Sequence, residues 1–422
     1  MLGAILPVRS LLLAIFVLMA GSGFLSTLIS LRLERAGTPS LLIGFVATCY
    51  FAGLTAGSLR VSRVIGRVGH IRAFAAFVSL FSASALTYAV HRDIVLWSAL
   101  RFIDGVSMAG VFICLESWLN ERAESSTRGA VLAAYMIALY SGQAIGQFLL
   151  NLGGGPKPSL PFMAASILLS LAVIPVLLTR IPGPSLASRP PLRMGDLYRV
   201  SPLGIVGAAT TGLMIGAFYA LGAVHVRRLG LDMAATALFM SVVILGGVVL
   251  QWPIGRLSDR FDRRAVIVAA FAATLLVSAA LALGGRPGWP LLLVGGLFGG
   301  LAFALYPLCV AHTNDHLAAD ERVAASGGLV LAYSIGAAIG PLAGAIAMRL
   351  AGPPGLYLFI ALCAGATLLF ALWRQYASLP VPDRLQQPYQ VLPRTTPMVA
   401  ALDPRADEPR PPGEAPAPSS GV

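Results

Sequence analysis

Three ionisable side chains lie in one apolar stretch of this chain: Arg101, Asp104 and Glu116, within residues 95–119. In a helix each residue turns by about 100°, so Asp104 lies about 60° to one side of Arg101 and Glu116 about 60° to the other. The three therefore share one face, and Arg101 and Asp104, at i and i+3, can pair directly.

Such a pair has two interpretations. A carboxylate beside an arginine stays ionised until the arginine moves, which would couple proton binding to a conformational change. A permanent structural ion pair explains the same spacing, and both interpretations stay open. Glu116 lies about 18 Å further along the same helix, where it would pair with a loop arginine or carry protons.

The composition requires a membrane around these charges. The 422 residues are 57% apolar and 11% charged, with a mean hydropathy of +0.80. The net charge of +12 comes from arginines in short connections that form no continuous basic face, so we expect a lipid bilayer and no nucleic acid as partner. No cofactor or metal site is expected, because His312 and His316 lack the glutamate of a zinc peptidase motif.

Twelve stretches are long enough to cross a bilayer as helices, at about 20 residues each. The fold class predicted is an all-α membrane protein with twelve transmembrane helices in two pseudo-symmetric six-helix bundles. The spans are placed near 10–31, 40–59, 73–90, 95–119, 130–152, 160–179, 201–224, 233–254, 265–283, 290–313, 326–349 and 355–374.

An internal repeat supports the division into two halves. Arg128, Gly142, Ile145 and Gly146 recur as Arg322, Gly336, Ile339 and Gly340, all 194 positions later. The domains predicted are an N-terminal bundle over 1–179, a linker over 180–200, a C-terminal bundle over 201–376 and a disordered Pro-rich tail over 377–422. Parallel repeats of this kind place a substrate path between the halves, near the bilayer midplane.

The distribution of basic residues predicts the orientation. Sixteen Arg lie in the connections on the side of the N-terminus, against eight Arg and Lys on the other side when Arg349 is counted there. Because positive charge favours the cytoplasmic side, we expect a protein of the bacterial inner membrane with both termini in the cytoplasm.

Further polar side chains in the spans are candidates for lining a cavity. Gln143 and Gln147 are one turn apart and would either line a cavity or join helices. The other candidates are Ser26, Thr27, Thr211, Tyr219, Gln251 and Tyr306.

Two basic loops carry the resemblance to a known family. Residues 255–264 resemble the loop signature Gly-x-x-x-Asp-Arg-x-Gly-Arg-Arg of the major facilitator superfamily, with matches at Gly255, Asp259, Arg260, Arg263 and Arg264 and with Asp262 in place of the second glycine. The first-half loop matches at Arg67, Gly69 and Arg72 but has Gly66 in place of the aspartate. Arg101-x-x-Asp104-Gly105 is similar to the family's fourth-span signature, with Asp104 in the place of a glutamine.

The resemblance implies a transporter, and residues 251–257 with 132–136 resemble the poorly characterised YcaD-like branch. In the family, the loop residues form a conformational latch between helix ends; here they would be the residues just matched in 255–264, with Arg67, Arg128 and Arg322. We therefore expect a monomeric secondary active transporter, not an enzyme, that moves a small solute with protons. The alternative is a non-transporting membrane receptor or scaffold that acts through its cytoplasmic tail.

Overall fold

The structure, a computed structural model, describes residues 5–124, 127–154, 157–178, 194–283, 288–317, 319–377, 389–391 and 394–396. Within these ranges the regular structure is helical, and twelve helices are long and apolar enough to cross a membrane. They are α1 (Leu6–Arg35), α2 (Ser40–Val68), α3 (His70–Val90), α4 (Ile94–Arg122), α5 (Arg128–Gly153), α6 (Leu160–Leu177), α7 (Pro202–Arg228), α8 (Met233–Arg260), α9 (Arg263–Leu283), α10 (Trp289–Asn314), α11 (Glu321–Ala351) and α12 (Gly355–Gln375). The prediction of twelve spans is confirmed.

Side chains and glycines set the ends of several helices. Asp93 and Asp232 each accept a hydrogen bond from a backbone N–H three residues later, at 2.7 Å, which caps α4 and α8. The turns after α1 and α7 contain Gly37 and Gly230, whose φ angles of 73° and 87° require a residue without a Cβ atom. These two glycines lie 193 positions apart, so the repeat extends to the turns.

Three of the spans are interrupted. α1 consists of a short 3₁₀ helix followed by Arg9–Ser22 and Leu25–Arg35, and α8 consists of Met233–Val249 and Gln251–Arg260. α5 passes into a 3₁₀ helix over Gln147–Gly154. At the break in α1 the carbonyl of Gly23 accepts a hydrogen bond from the Gln147 side chain at 3.2 Å. A backbone group freed in the membrane region is thus satisfied by a neighbouring helix.

The helix contacts form two matching sets. In the first half α2 packs on α4, α1 on α5 and α6, and α3 on α4 and α6. In the second half α8 packs on α10, α7 on α11 and α12, and α9 on α10 and α12. Each contact in one half has its counterpart six helices later, which confirms two pseudo-symmetric six-helix bundles.

The bundles meet mainly along three helix pairs. α1 contacts α7, α2 contacts α11, and α5 contacts α8. When each helix is replaced by its equivalent in the other half, six helices away, the second pair becomes the third and the first pair stays the same. The pseudo-twofold axis therefore passes between α1 and α7, and residues 194 positions apart on these two helices can meet there.

Repeated glycines allow the closest packing within each bundle. A Cβ atom at Gly142 or Gly146 would overlap backbone carbonyls of α1, and one at Gly336 or Gly340 would overlap those of α7. Small residues at such crossings let two helix backbones approach closely in a membrane. The repeat predicted from the sequence thus corresponds to two equivalent helix crossings.

Two predicted connections differ in part from the structure. The end of the predicted linker forms a short helix, Met194–Val200, because Leu197 is buried against the protein; residues 179–193 lie outside the described residues. Within the tail predicted to be disordered, the structure describes residues 389–391 and 394–396, which contact the two bundles; disorder of the tail stays a prediction. The remaining tail residues lie outside the described ranges, and the domain boundaries themselves stay a prediction.

The glycine crossings can be tested by thermal unfolding. We expect Gly212→Val to lower the melting temperature clearly, because its Cβ would meet the backbone of Tyr333 on α11 and overpacking costs about 1–3 kcal/mol. Gly66→Val is the matched control, since open space surrounds that helical glycine. Equal melting temperatures for the two variants would contradict this packing.

Candidate functional site

The ion pair expected in α4 is present and buried. Arg101 and Asp104 are 2% and 0% exposed, and an Nη1 of Arg101 lies 3.5 Å from Oδ2 of Asp104. The same oxygen accepts a hydrogen bond from the hydroxyl of Tyr88 at 2.7 Å. Two donors therefore hold this carboxylate oxygen in a buried site.

Arg101 also reaches across to two other helices. Its second Nη donates to the hydroxyl of Ser26 on α1 at 2.5 Å, and its guanidinium lies 4.2 Å from the ring centroid of Tyr50 on α2. An arginine over an aromatic face gains a cation–π attraction that a desolvated site strengthens. Arg101 therefore connects Asp104 to residues that line the space between the bundles.

A cavity of about 120 Å³ lies between the two bundles. It is lined from both halves, by Met19, Ser22, Gly23, Ser26, Tyr50, Phe51, Leu54, Met108, Phe112, Leu139, Tyr140, Gln143, Tyr219 and Tyr333, together with Arg394 and Thr395 of the tail. Of the predicted cavity residues it therefore contains Ser26, Gln143 and Tyr219, and the hydroxyl of Tyr219 donates to Gln143 across the interface at 3.3 Å.

The other cavity candidates lie elsewhere. The Thr211 hydroxyl donates to the carbonyl of Gly207 on its own helix at 2.7 Å, and Gln251 donates to the Phe303 carbonyl at 3.5 Å. Gln147 joins α5 to α1, because its side-chain amide donates to the carbonyl of Gly23 at the break in α1. Thr27 and Tyr306 are buried and are not among the cavity-lining residues.

Part of the C-terminal tail occupies this cavity. The guanidinium of Arg394 lies 4.3 Å from the ring centroid of Phe303 and 5.5 Å from that of Tyr333. The backbone N–H of Tyr389 donates to Asp259 at 2.6 Å, and its ring covers Gly255. Burial raises the pKa of the Tyr389 phenol, so this side chain is uncharged at neutral pH.

Glu116 belongs to this tail contact rather than to the Arg101 pair. The carboxylate is fully buried and accepts hydrogen bonds from Tyr135 at 2.9 Å and from the hydroxyls of Thr395 and Thr396. Neither sequence alternative for Glu116 anticipated these hydroxyl donors. The tail gave no signal for them, because its residues have no apolar periodicity.

The bundles are joined on one side of the cavity by an ion pair that the sequence analysis missed. Arg228 at the end of α7 makes a bidentate contact with Glu34 of α1, at 2.7 and 2.9 Å, and also donates to Ser40 at 2.9 Å. Glu34 and Arg228 lie 194 positions apart, the spacing of the repeat. The repeat therefore contained the signal, since equivalent residues of α1 and α7 meet near the pseudo-twofold axis.

The predicted latch residues lie at the opposite side, around the ends of α8 and α10. Arg263 is 1% exposed, forms an ion pair with Asp315 and lies 3.6 Å from Asp259. Asp262 accepts from the backbone N–H of Arg264 at 3.0 Å, which explains an aspartate at the start of α9.

The remaining latch candidates do not all join this network. Arg67 and Arg260 are exposed, Arg128 and Arg322 are half-buried, and Gly255 contacts the tail. The described network connects α8, α9 and α10 within one bundle, and its role as a latch between conformations stays a prediction.

A larger cavity of about 370 Å³ lies on the Glu34 side. Residues of α1, α3, α4 and α6 line it, including Arg32, Arg92 and Trp97. It lies within the first bundle and is therefore not on a path between the two halves.

These features define a class of protein: a multi-pass membrane protein whose two related six-helix bundles enclose a central cavity. The family model of the Major Facilitator Superfamily matches residues 11–255 and 205–405, and the chain belongs to this superfamily of transporters.

Relatives and solved structures agree with this membership. The chain is 29% identical over 386 residues to an uncharacterized MFS-type transporter of Yersinia pestis, covering 91% of this chain and 98% of that one. It is 30% identical over 375 residues to the uncharacterized MFS-type transporter YcaD of Salmonella arizonae, covering 87% and 95%. The resemblance to the YcaD-like branch is thus confirmed.

The fold is similar to solved transporter structures. The nucleoside transporter NupG superposes with a TM-score of 0.73 at 14% identity, covering 86% of this chain and 97% of that one. A D-xylose-proton symporter gives 0.69 at 15% identity, covering 90% and 99%. At these identities the likeness establishes the fold.

The Glu34–Arg228 pair can be tested by accessibility of the cavity. With the four native cysteines changed to alanine and Ser22→Cys as a reporter, we expect Glu34→Gln to increase labelling by an impermeant maleimide from the Glu34 side. The increase should be about two- to fivefold, because a partly exposed pair contributes up to about 1 kcal/mol.

The reversed double variant Glu34→Arg with Arg228→Glu is the control and should restore slow labelling. If the single variant, the double variant and the parent are all labelled at the same rate, the pair does not hold this side closed.

Proposed function

We propose that the protein is a secondary active transporter that moves a small solute by alternating access. The observation that carries the proposal is the cavity between two pseudo-symmetric bundles, joined on one side by Glu34 and Arg228 and occupied from the other side by the tail. Rocking the bundles about the α1–α7 axis would break the first contact and open the cavity on that side. Repeats of this kind support such a motion around a fixed central site.

The orientation follows from the charged connections. The loops on the Asp259 side carry most of the Arg residues, so this side would face the cytoplasm of a bacterial cell, with both termini inside. The cavity would then be closed to the outside in the described conformation. The NupG and xylose symporter folds support transport of a small polar solute.

Proton coupling would act through Asp104. A charge inside the membrane costs at least about 2.5–3.5 kcal/mol, so a retained carboxylate there has a functional or structural role. Asp104 shares Arg101 with Ser26 and Tyr50 of the cavity wall. A proton on Asp104 would weaken its hold on Arg101 and change the charge that Arg101 presents to the cavity.

The coupling can be tested with Asp104→Asn in proteoliposomes. Ligands are first found by thermal shift on the purified protein, since a bound ligand stabilises the folded state. We expect the variant to lose at least about 90% of the accumulation driven by a proton gradient but to retain exchange of labelled for unlabelled solute, because asparagine binds no proton.

Glu121→Gln is the matched control, because it removes an exposed carboxylate from the same helix. Unchanged accumulation by Asp104→Asn would contradict proton coupling through this residue. Absence of both accumulation and exchange in the parent protein, across a broad solute panel, would contradict transport.

A further inference from the structure

The residues around Arg394 form a box suited to an organic cation. Phe303 and Tyr333 present ring faces within about 6 Å of the guanidinium, the range of cation–π attraction. Tyr219 is a hydrogen-bond partner of the same group. Phe303 and Tyr219 also contact each other, with ring centroids 6.1 Å apart, so the rings form one continuous wall.

An acidic group adjoins this box. Thr395, next to Arg394 in the chain, donates to Oε1 of Glu116, and Thr396 donates to Oε2. If the tail left the cavity, both oxygens would lose these donors and Tyr135 would remain. A buried carboxylate that loses hydrogen bonds is costly, so another donor or cation would be favoured in the same place.

The charges nearby do not oppose a cation. Arg101 already pairs with Asp104, so together they add no net charge to the cavity. Glu116 accepts a hydrogen bond from the residue next to Arg394, and a bound cation would keep this carboxylate ionised.

We infer that the cavity takes an organic cation, with a guanidinium or amine group on the Phe303–Tyr333 box and hydrogen-bond donors directed at Glu116, and that the tail occupies this site as an internal competitor. The inference rests on the proposed function, for which it names the class of solute. Arg394 fills the position of the solute cation, and Thr395 and Thr396 fill the positions of its donors.

The geometry of the tail fits a competitor that can enter and leave. Tyr389 binds Asp259 at the mouth, and the five residues from there to Arg394 span at most about 18 Å, roughly half of a bilayer core. The chain is therefore long enough to extend from Asp259, at the end of α8, to the middle of the membrane. Because it enters from the Asp259 side, it favours the conformation open on that side.

The test compares binding of agmatine, a guanidinium amine, with binding of an uncharged analogue of similar length, (4-hydroxybutyl)urea, which has a urea in place of the guanidinium and a hydroxyl in place of the amine. Affinities are measured by calorimetry on the full-length parent, Arg394→Gln and the control Arg122→Gln, which changes an exposed arginine on the same side. We expect Arg394→Gln to bind agmatine at least about tenfold more tightly than the parent, because the site is no longer occupied. Arg122→Gln should bind agmatine with the affinity of the parent. The urea analogue should bind to none of the three proteins.

A second comparison identifies the box. Adding Phe303→Leu to Arg394→Gln should weaken agmatine binding about fivefold. If the variant with Phe303→Leu does not fold, Tyr333→Leu is combined with Arg394→Gln instead. Equal affinity in the parent and Arg394→Gln, equal binding of the urea, or no binding of agmatine to any variant would overturn the inference.

Binding and transport fail separately. Calorimetry needs no ion gradient, so transport of another class of solute without agmatine binding would overturn the cation site and leave the proposed function intact. Agmatine binding without flux of any solute would support the site and contradict transport.

Discussion

The architecture depends on the close approach of paired helices around one pseudo-twofold axis. Gly142 and Gly146 let α5 contact the α1 backbone, and Gly336 and Gly340 do the same for α11 and α7. In a membrane, packing and hydrogen bonds rather than hydrophobic burial hold helices together, so such crossings set the bundle geometry. They also fix α1 and α7 at the centre, where both halves line the central cavity.

The same axis explains the ion pair on the Glu34 side. Two residues 194 positions apart occupy equivalent positions on α1 and α7, so they approach each other wherever the helices approach the axis. Identical charges there would repel, and the chain instead has a glutamate and an arginine. The two positions are thus equivalent in backbone but opposite in side-chain charge. The result is an ion pair that a rocking motion of the bundles would break.

Much of the fold could be predicted from the sequence, because apolar length and repeated glycines are strong signals in membrane proteins. The Arg101–Asp104 pair could also be predicted, since i, i+3 spacing within one helix is local. For Gln143 and Gln147 the sequence left two roles open, and the structure places Gln143 at the cavity and Gln147 in a hydrogen bond to α1. Tyr50, Phe303 and Tyr333 gave no signal, since aromatic residues in apolar spans are equally suited to a core.

The tail was the largest difference between sequence and structure. A Pro-rich segment without periodicity cannot bury enough surface to fold alone, and that argument is sound for an isolated chain. Residues 389–391 and 394–396 nevertheless have contacts, because the groups that they meet belong to the folded bundles. The backbone of Tyr389 binds Asp259, and Arg394 contacts the aromatic box. Thr395 and Thr396 bind Glu116. Without the tail, these groups would be left to water or solute.

Rocking of the two bundles about the α1–α7 axis can be measured as distances between spin labels in lipid nanodiscs. One pair, at Arg67 and Arg260, lies on the Asp259 side, and the other, at Arg92 and Trp289, lies on the Glu34 side; all four residues are exposed. We expect two populations of distances for each pair. Glu34→Gln should lengthen the distance on the Glu34 side and shorten the distance on the Asp259 side. A single unchanged distance for both pairs would contradict alternating access.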